Sequence, residues 1–261
     1  MRTSATTTRT WRSRVSAIAV EACALLVLIG CVAAVRSPQA QRTADAAVAP
    51  TVSPAKRAAE AGMVEIRRLA PDLSLDIRYA GSDNFVGRPV AGYEAPACYL
   101  HERAAQALAR VERGLRAQGL RLRVYDCYRP VRAVRDFVAW AGDPDDQSGK
   151  SEYYPHLDKS ALLGAYISPT SGHSRGATVD LTLLAPRDGR YAPLDMGTGF
   201  DFFDPAANTE SPEASPEQRA NRERLRQAMA AEGFENYPLE WWHYTYRPEP
   251  TPQTAYDFPV R

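Results

Sequence analysis

The run GATVDLTLL, residues 176–184, alternates as a buried strand does, yet it carries a carboxylate at its centre. Ala177, Val179, Leu181 and Leu183 fall on one face, and Thr178, Asp180 and Thr182 on the other. The apolar face requires a core. A mid-strand carboxylate is expensive to bury unless it is paired, hydrogen-bonded or bound to a metal. This one strand therefore demands both a packed interior and a polar partner for Asp180.

The chain has four histidines, His101, His156, His173 and His243. His173 precedes Asp180 by seven residues, in a Ser- and Gly-rich turn that can fold back beside the strand. An imidazole and a carboxylate suit zinc, although the same two residues also make a simple ion pair. A third ligand is needed for a metal, and His243 in EWWHY is the best remaining candidate. Glu240 stands three residues before it, and a carboxylate beside a metal serves as general base and then general acid. In a regular strand residues 240 and 243 point to opposite faces. Their convergence requires a bulge, or that Glu240 precede the strand. Arg129 follows a strand end in YDCYRP, where a guanidinium stabilises a developing oxyanion or caps a carboxylate structurally. His101 and His156 read as surface or supporting residues, and Trp241 and Trp242 as packing.

The amino terminus has another character. Arg2, Arg9, Arg12 and Arg14 precede an apolar stretch from about Val15 to Val35 that ends in Leu28-Ile29-Gly30-Cys31. This pattern reads as an export signal over 1–31 that resembles a bacterial lipobox, with Cys31 as the lipidated residue. Cleavage further on, as after Ala40, or an uncleaved anchor are the alternatives. Residues 32–62 read as a solvated tether and 63–261 as one globular domain. The expected location is the periplasm, as a membrane-anchored lipoprotein. Cys98 and Cys127 are the cysteines left in the domain. They form no CxxC pattern, and export leaves a disulfide or two buried thiols open. Lys and Arg total 32 against 31 Asp and Glu, so no basic footprint for nucleic acid exists.

Periodicity predicts strands over 73–80, 121–127, 176–184 and 239–246, and helices over 102–118, 131–141 and 216 to about 232. Ser215, Pro216 and Gln218 predict a capping box on the last helix. Strands and helices are segregated, which predicts an α+β fold with a mainly antiparallel sheet and packed helices.

Several blocks occur in the order of one known family: DIRYAGSDNFVGRPVAGY (76–93), YDCYRPVRAV (125–134), SGHSRGATVDLTL (171–183), MGTGFDFFD (196–204), NRERLRQAM (221–229), GFENYPLEWWHY (233–244) and YDFPVR (256–261). Together they resemble the D-alanyl-D-alanine dipeptidases, the VanX type of zinc metallopeptidase, over about residues 65–261. The resemblance implies a fold shared with DD-carboxypeptidases and the Hedgehog signalling domain. It implies one zinc ion per chain held by His173, Asp180 and His243, with Glu240 as base and acid and Arg129 on the tetrahedral intermediate. Asp201 would bind the substrate ammonium, Ser171 would touch substrate, and Tyr79, Tyr93 and Phe137 would line the pocket. Cys127 stands where a small residue such as Gly is expected, which fits a disulfide specific to exported members. The implied partner is a small dipeptide, with a membrane reached only through the lipid anchor; nothing in the sequence sets the oligomeric state. The family's resistance members are cytosolic, so an exported enzyme points instead to wall turnover or scavenging. The alternative is a zinc DD-carboxypeptidase acting on peptidoglycan stem peptides. A zinc-binding module without catalysis fits poorly with both Glu240 and Arg129 present.

Overall fold

The computed structural model describes residues 49–261. The expected signal segment, Cys31 and the first part of the tether lie outside these residues. In chain order the described strands are β1 (Thr51–Val52), β2 (Met63–Glu65), β3 (Ser74–Leu75), β4 (Tyr99–His101), β5 (Arg121–Asp126), β6 (Thr178–Arg187), β7 (Arg190–Pro193), β8 (Phe234–Asn236), β9 (His243–Tyr246) and β10 (Thr254–Ala255). The α-helices are α1 (Glu102–Arg116), α2 (Val131–Ala141), α3 (Lys150–Tyr153) and α4 (Pro216–Ala230).

The main sheet runs β3-β5-β6-β9-β8, with β7 pairing β6. β3 and β5 are parallel, and the remaining pairs of this sheet are antiparallel. β6 is its middle strand and is buried from Thr178 to Leu184. The apolar face is buried as the alternation requires, and the polar face that carries Asp180 is buried as well.

Register explains how the sheet builds a polar site inside itself. Asp180 lies opposite His243 on β9 and opposite Asp126 on β5. Residues directly opposite share a face, so all three side chains project the same way. On β5 the pairing shifts between Val124 and Asp126. That extra residue is what turns Asp126 onto the face of Asp180.

The helices follow their sequence signals. α1 buries Ala104, Ala105, Leu108, Val111 and Leu115, spacings that put one apolar stripe on the core. It ends at Arg116, two residues short of the expectation. On α4 the Ser215 side chain accepts from the Gln218 amide while the Gln218 side chain accepts from the Ser215 amide. The capping box forms as expected.

Three expectations need correction. The strand expected over 73–80 pairs only at Ser74–Leu75, because Arg78–Ala80 tighten into a 3-10 turn that keeps Ile77 and Tyr79 buried. The strand expected over 239–246 begins at His243; residues before it form turns in which the Glu240 amide donates to Tyr237 and the His243 amide to Glu240. The tether expected over 32–62 does not reach Met63. β1 pairs with β10, and Ala58–Ala61 make a 3-10 turn with Ala61 buried. Cys98 and Cys127 are joined in a disulfide, with Cα atoms 5.2 Å apart.

Glu112 on α1 is buried against β5. Its carboxylate accepts from Arg116 Nε at 2.9 Å, from Arg121 Nε at 2.5 Å and from the Leu122 amide at 2.8 Å, joining α1 to β5. Glu112→Ala leaves the buried Leu122 N–H without its acceptor. The expected loss is about 2 kcal/mol, read as a lower urea midpoint at unchanged m-value.

Candidate active site

His173 is placed by a short turn, Gly172–Arg175, capped when the Ser171 side chain accepts from the His173 amide. The turn closes at Gly176 with φ +76°, and a Cβ there would meet the Met63 side chain at 2.1 Å. Glycine takes the left-handed backbone at no steric cost and leaves room for the Met63 side chain.

The His173 tautomer follows from one contact. Its Nδ1 lies 2.7 Å from the Cys127 carbonyl oxygen. A carbonyl only accepts, so Nδ1 carries the proton and Nε2 presents a lone pair. That lone pair faces Asp180 Oδ2 at 3.3 Å and His243 Nδ1 at 3.2 Å. His243 Nδ1 is also 3.1 Å from Asp180 Oδ1. One ligand atom from each of the three residues falls within 4.8 Å of the others. Asp180 Oδ1 is buried and lacks a well-formed hydrogen bond. Two imidazole nitrogens and a carboxylate, their acceptor atoms converging, are a donor set for a cation such as zinc.

The closeness of the three groups shifts each of their pKa values. Burial holds the His173 pKa down, favouring the neutral ring, against the pull of Asp180. Burial would raise Asp180, but His173 and His243 outweigh it and hold the carboxyl well below its usual range. Burial likewise opposes a charged His243, while Asp180 and then Glu240 raise it overall.

Glu240 precedes β9, which meets the requirement set by its spacing from His243. Its Oε2 lies 3.5 Å from His243 Nδ1. Arg129 reaches the same cluster. Its guanidinium sits 5.0 Å from the ring centres of both Tyr79 and Phe137. Nε donates to Asp126 Oδ2 at 2.9 Å, and Nη2 is 3.5 Å from Asp180 Oδ2.

Asp126 was not among the residues picked out from the sequence. It is fully buried, accepts from the Tyr93 hydroxyl at 2.6 Å and lies 3.5 Å from His173 Nδ1. Burial raises its pKa, with Arg129 and His173 pulling the other way. The available signal was a carboxylate at a strand end, three residues before Arg129.

Asp201 is buried at φ +60° and accepts from the Tyr79 hydroxyl at 2.8 Å. Burial drives its pKa well up, and the charge of Asp180 adds to this. Tyr79, Phe137, Ser171 and Asp201 line a cavity of about 590 Å³ together with Arg129, Glu240, His173, Asp180 and His243. Tyr93 does not line it. Its ring packs 5.6 Å from Tyr79 and its hydroxyl fixes Asp126 behind the cavity wall. His156 is exposed and contacts Asp204, whereas His101 is buried against Thr251.

A family model described as D-ala-D-ala dipeptidase matches residues 59–261. A D-alanyl-D-alanine dipeptidase of Enterococcus faecium is 38% identical over 203 residues, 77% of this chain and 100% of that protein. One from Streptomyces coelicolor is 40% identical over 196 residues, 75% of this chain and 96% of the relative. One from Escherichia coli is 34% identical over 182 residues, covering 70% and 83%. By the span of the family match and the identity to these relatives, the chain belongs to the D-Ala-D-Ala dipeptidase family of peptidases.

Proposed function

We propose that this chain hydrolyses the free dipeptide D-Ala-D-Ala to two D-alanines, with one zinc ion held by His173, Asp180 and His243. The observation that carries this reading is the convergence of those three ligand atoms within 4.8 Å, with Glu240 Oε2 3.5 Å from one of them. Bound zinc supplies Lewis acidity and lowers the pKa of a water molecule. Glu240 takes the proton of the attacking water and returns it to the leaving amine nitrogen. Arg129, fixed by Asp126 and stacked on two rings, offers its remaining N–H groups to the oxyanion as it develops. The carboxylate of Asp201, held by Tyr79, receives the substrate ammonium. A cavity of about 590 Å³ suits a small ligand.

The choice of a free amine separates this reading from a DD-carboxypeptidase, for which a buried Asp201 has no use. We also propose the fold shared with DD-carboxypeptidases and the Hedgehog signalling domain. Export as a lipoprotein anchored through Cys31 is supported by the basic and apolar segment ending in LIGC. The Cys98–Cys127 disulfide suits an oxidising compartment. From there the enzyme would serve wall turnover or scavenging, since it cannot reach a cytosolic pool.

The test follows D-alanine release from D-Ala-D-Ala, acetyl-D-Ala-D-Ala and L-Ala-L-Ala. Release from the free D,D-dipeptide alone is expected, lost under chelation and restored by zinc; release from the acetylated substrate would establish the carboxypeptidase. Glu240→Ala is expected to keep zinc and lose about 10³-fold in kcat. Asp201→Asn should raise KM for the free dipeptide and lower kcat/KM about 100-fold, because the ammonium loses its charged acceptor. Asp126→Asn weakens the hold on Arg129, and about a tenfold or greater fall in kcat with little change in KM is expected from steady-state kinetics.

A further inference from the structure

The Cys98–Cys127 disulfide takes no part in the chemistry above, yet Cys127 is in direct contact with His173. β5 ends at Asp126, so the sheet ladder no longer fixes residues 127–129. Two reciprocal bonds join this segment to the His173 turn. The His173 Nδ1–H donates to the Cys127 carbonyl at 2.7 Å, and the Arg129 amide donates to the His173 carbonyl at 3.3 Å. On its other side the segment is tied to β4 and the residue before it. The Tyr128 amide donates to Tyr99 at 3.0 Å, the Cys98 carbonyl accepts from Ile66 at 2.9 Å, and the disulfide closes the connection. Cys98 and Cys127 are both buried.

We propose that the Cys98–Cys127 disulfide is a positioning element of the metal site. It fixes the Cys127 carbonyl, which sets the tautomer and ring orientation of His173, and it fixes the backbone that carries Arg129 two residues later. The partner of a ligating imidazole's second nitrogen sets how well the first nitrogen binds. Here that partner is a backbone carbonyl, and a side chain cannot be mutated to remove it. The covalent link is the handle through which the chain holds it in place. The inference rests on the metal assignment proposed above.

A disulfide that only stabilises the fold predicts something different, and zinc affinity separates the two. Zinc is titrated against a chromophoric chelator in the wild-type protein, in Cys98→Ala/Cys127→Ala, and in Leu225→Ala. The last truncates a fully buried side chain on α4 and so loses stability by another route. The expected result is a tenfold or greater loss of zinc affinity in the cysteine variant and less than a twofold change in Leu225→Ala. Equal affinities, or equal losses, overturn the proposal.

A second measurement needs no variant. In a glutathione redox buffer, two glutathione thiols are oxidised to one disulfide as Cys98 and Cys127 gain two electrons and two protons. Coupling is reciprocal, so zinc must shift this equilibrium toward the protein disulfide by about tenfold or more; no shift overturns the proposal. A wild-type protein that takes up no zinc overturns the metal assignment and this inference with it. Tight wild-type binding with undiminished binding in the cysteine variant overturns this inference alone.

Discussion

Asp180 is a carboxylate in the middle strand of the sheet, about 1% exposed, and the surrounding residues are arranged around the cost of its desolvation. A buried ionised group survives only with charge or hydrogen-bond partners. Two strands and a turn meet that demand together. β9 brings His243 opposite it, β5 brings Asp126 and, just beyond its end, Arg129, and the turn before β6 folds His173 back over it. The apolar residues of β6 anchor the core from the same strand. Core and site are thus two faces of one register, and a slip of one residue would exchange them.

That coupling explains what the sequence made legible. The alternation in 176–184 located the middle strand and marked Asp180 as the residue needing a partner. Scarcity of histidine then narrowed the partners to His173 and His243. The 240/243 spacing required Glu240 to sit before the strand, and the turn at Tyr237–Glu240 meets that requirement. Asp126 was different. Its orientation depends on a shift in pairing against β6, and a pairing shift leaves no periodic trace on one strand. Tyr93 was grouped with the pocket, but its hydroxyl turns to Asp126, behind the wall. The pairing of β1 with β10 was hidden for a related reason: two-residue strands carry no periodicity, and their partners lie about two hundred residues away.

Arg129 shows why the hidden residue matters. An arginine held only by aromatic stacking can rotate about its long side chain. Asp126 accepts from Nε, the nitrogen nearest the chain, and so fixes the plane without engaging the terminal nitrogens, of which Nη2 lies 3.5 Å from Asp180 Oδ2. Tyr93 in turn fixes Asp126. An oxyanion donor that needs no reorganisation during reaction is worth far more than a mobile one. In the role proposed for Arg129, the relay from Tyr93 through Asp126 would supply that rigidity from outside the cavity.

The balance of charge in the site bears on which substrate it accepts. Asp126, Asp180, Asp201 and Glu240 lie in or against the cavity around Arg129, while Glu235 and Glu249 on its lining pair with Arg175 and Arg247 and balance them in number. With every carboxylate ionised the group carries three negative charges in excess. The consequence falls on Asp201, whose pKa is driven well up by burial and then by Asp180, with Glu240 adding to it. A divalent ion at the proposed ligands reduces the excess to one. One remaining negative charge, seated beside Tyr79 in a buried pocket, matches a single ammonium group. An N-acylated peptide brings no such charge and would leave Asp201 either protonated or buried without a counter-ion. On this reading, selection for a free amine comes from the whole electrostatic balance of the site, and Asp201 is where it is expressed.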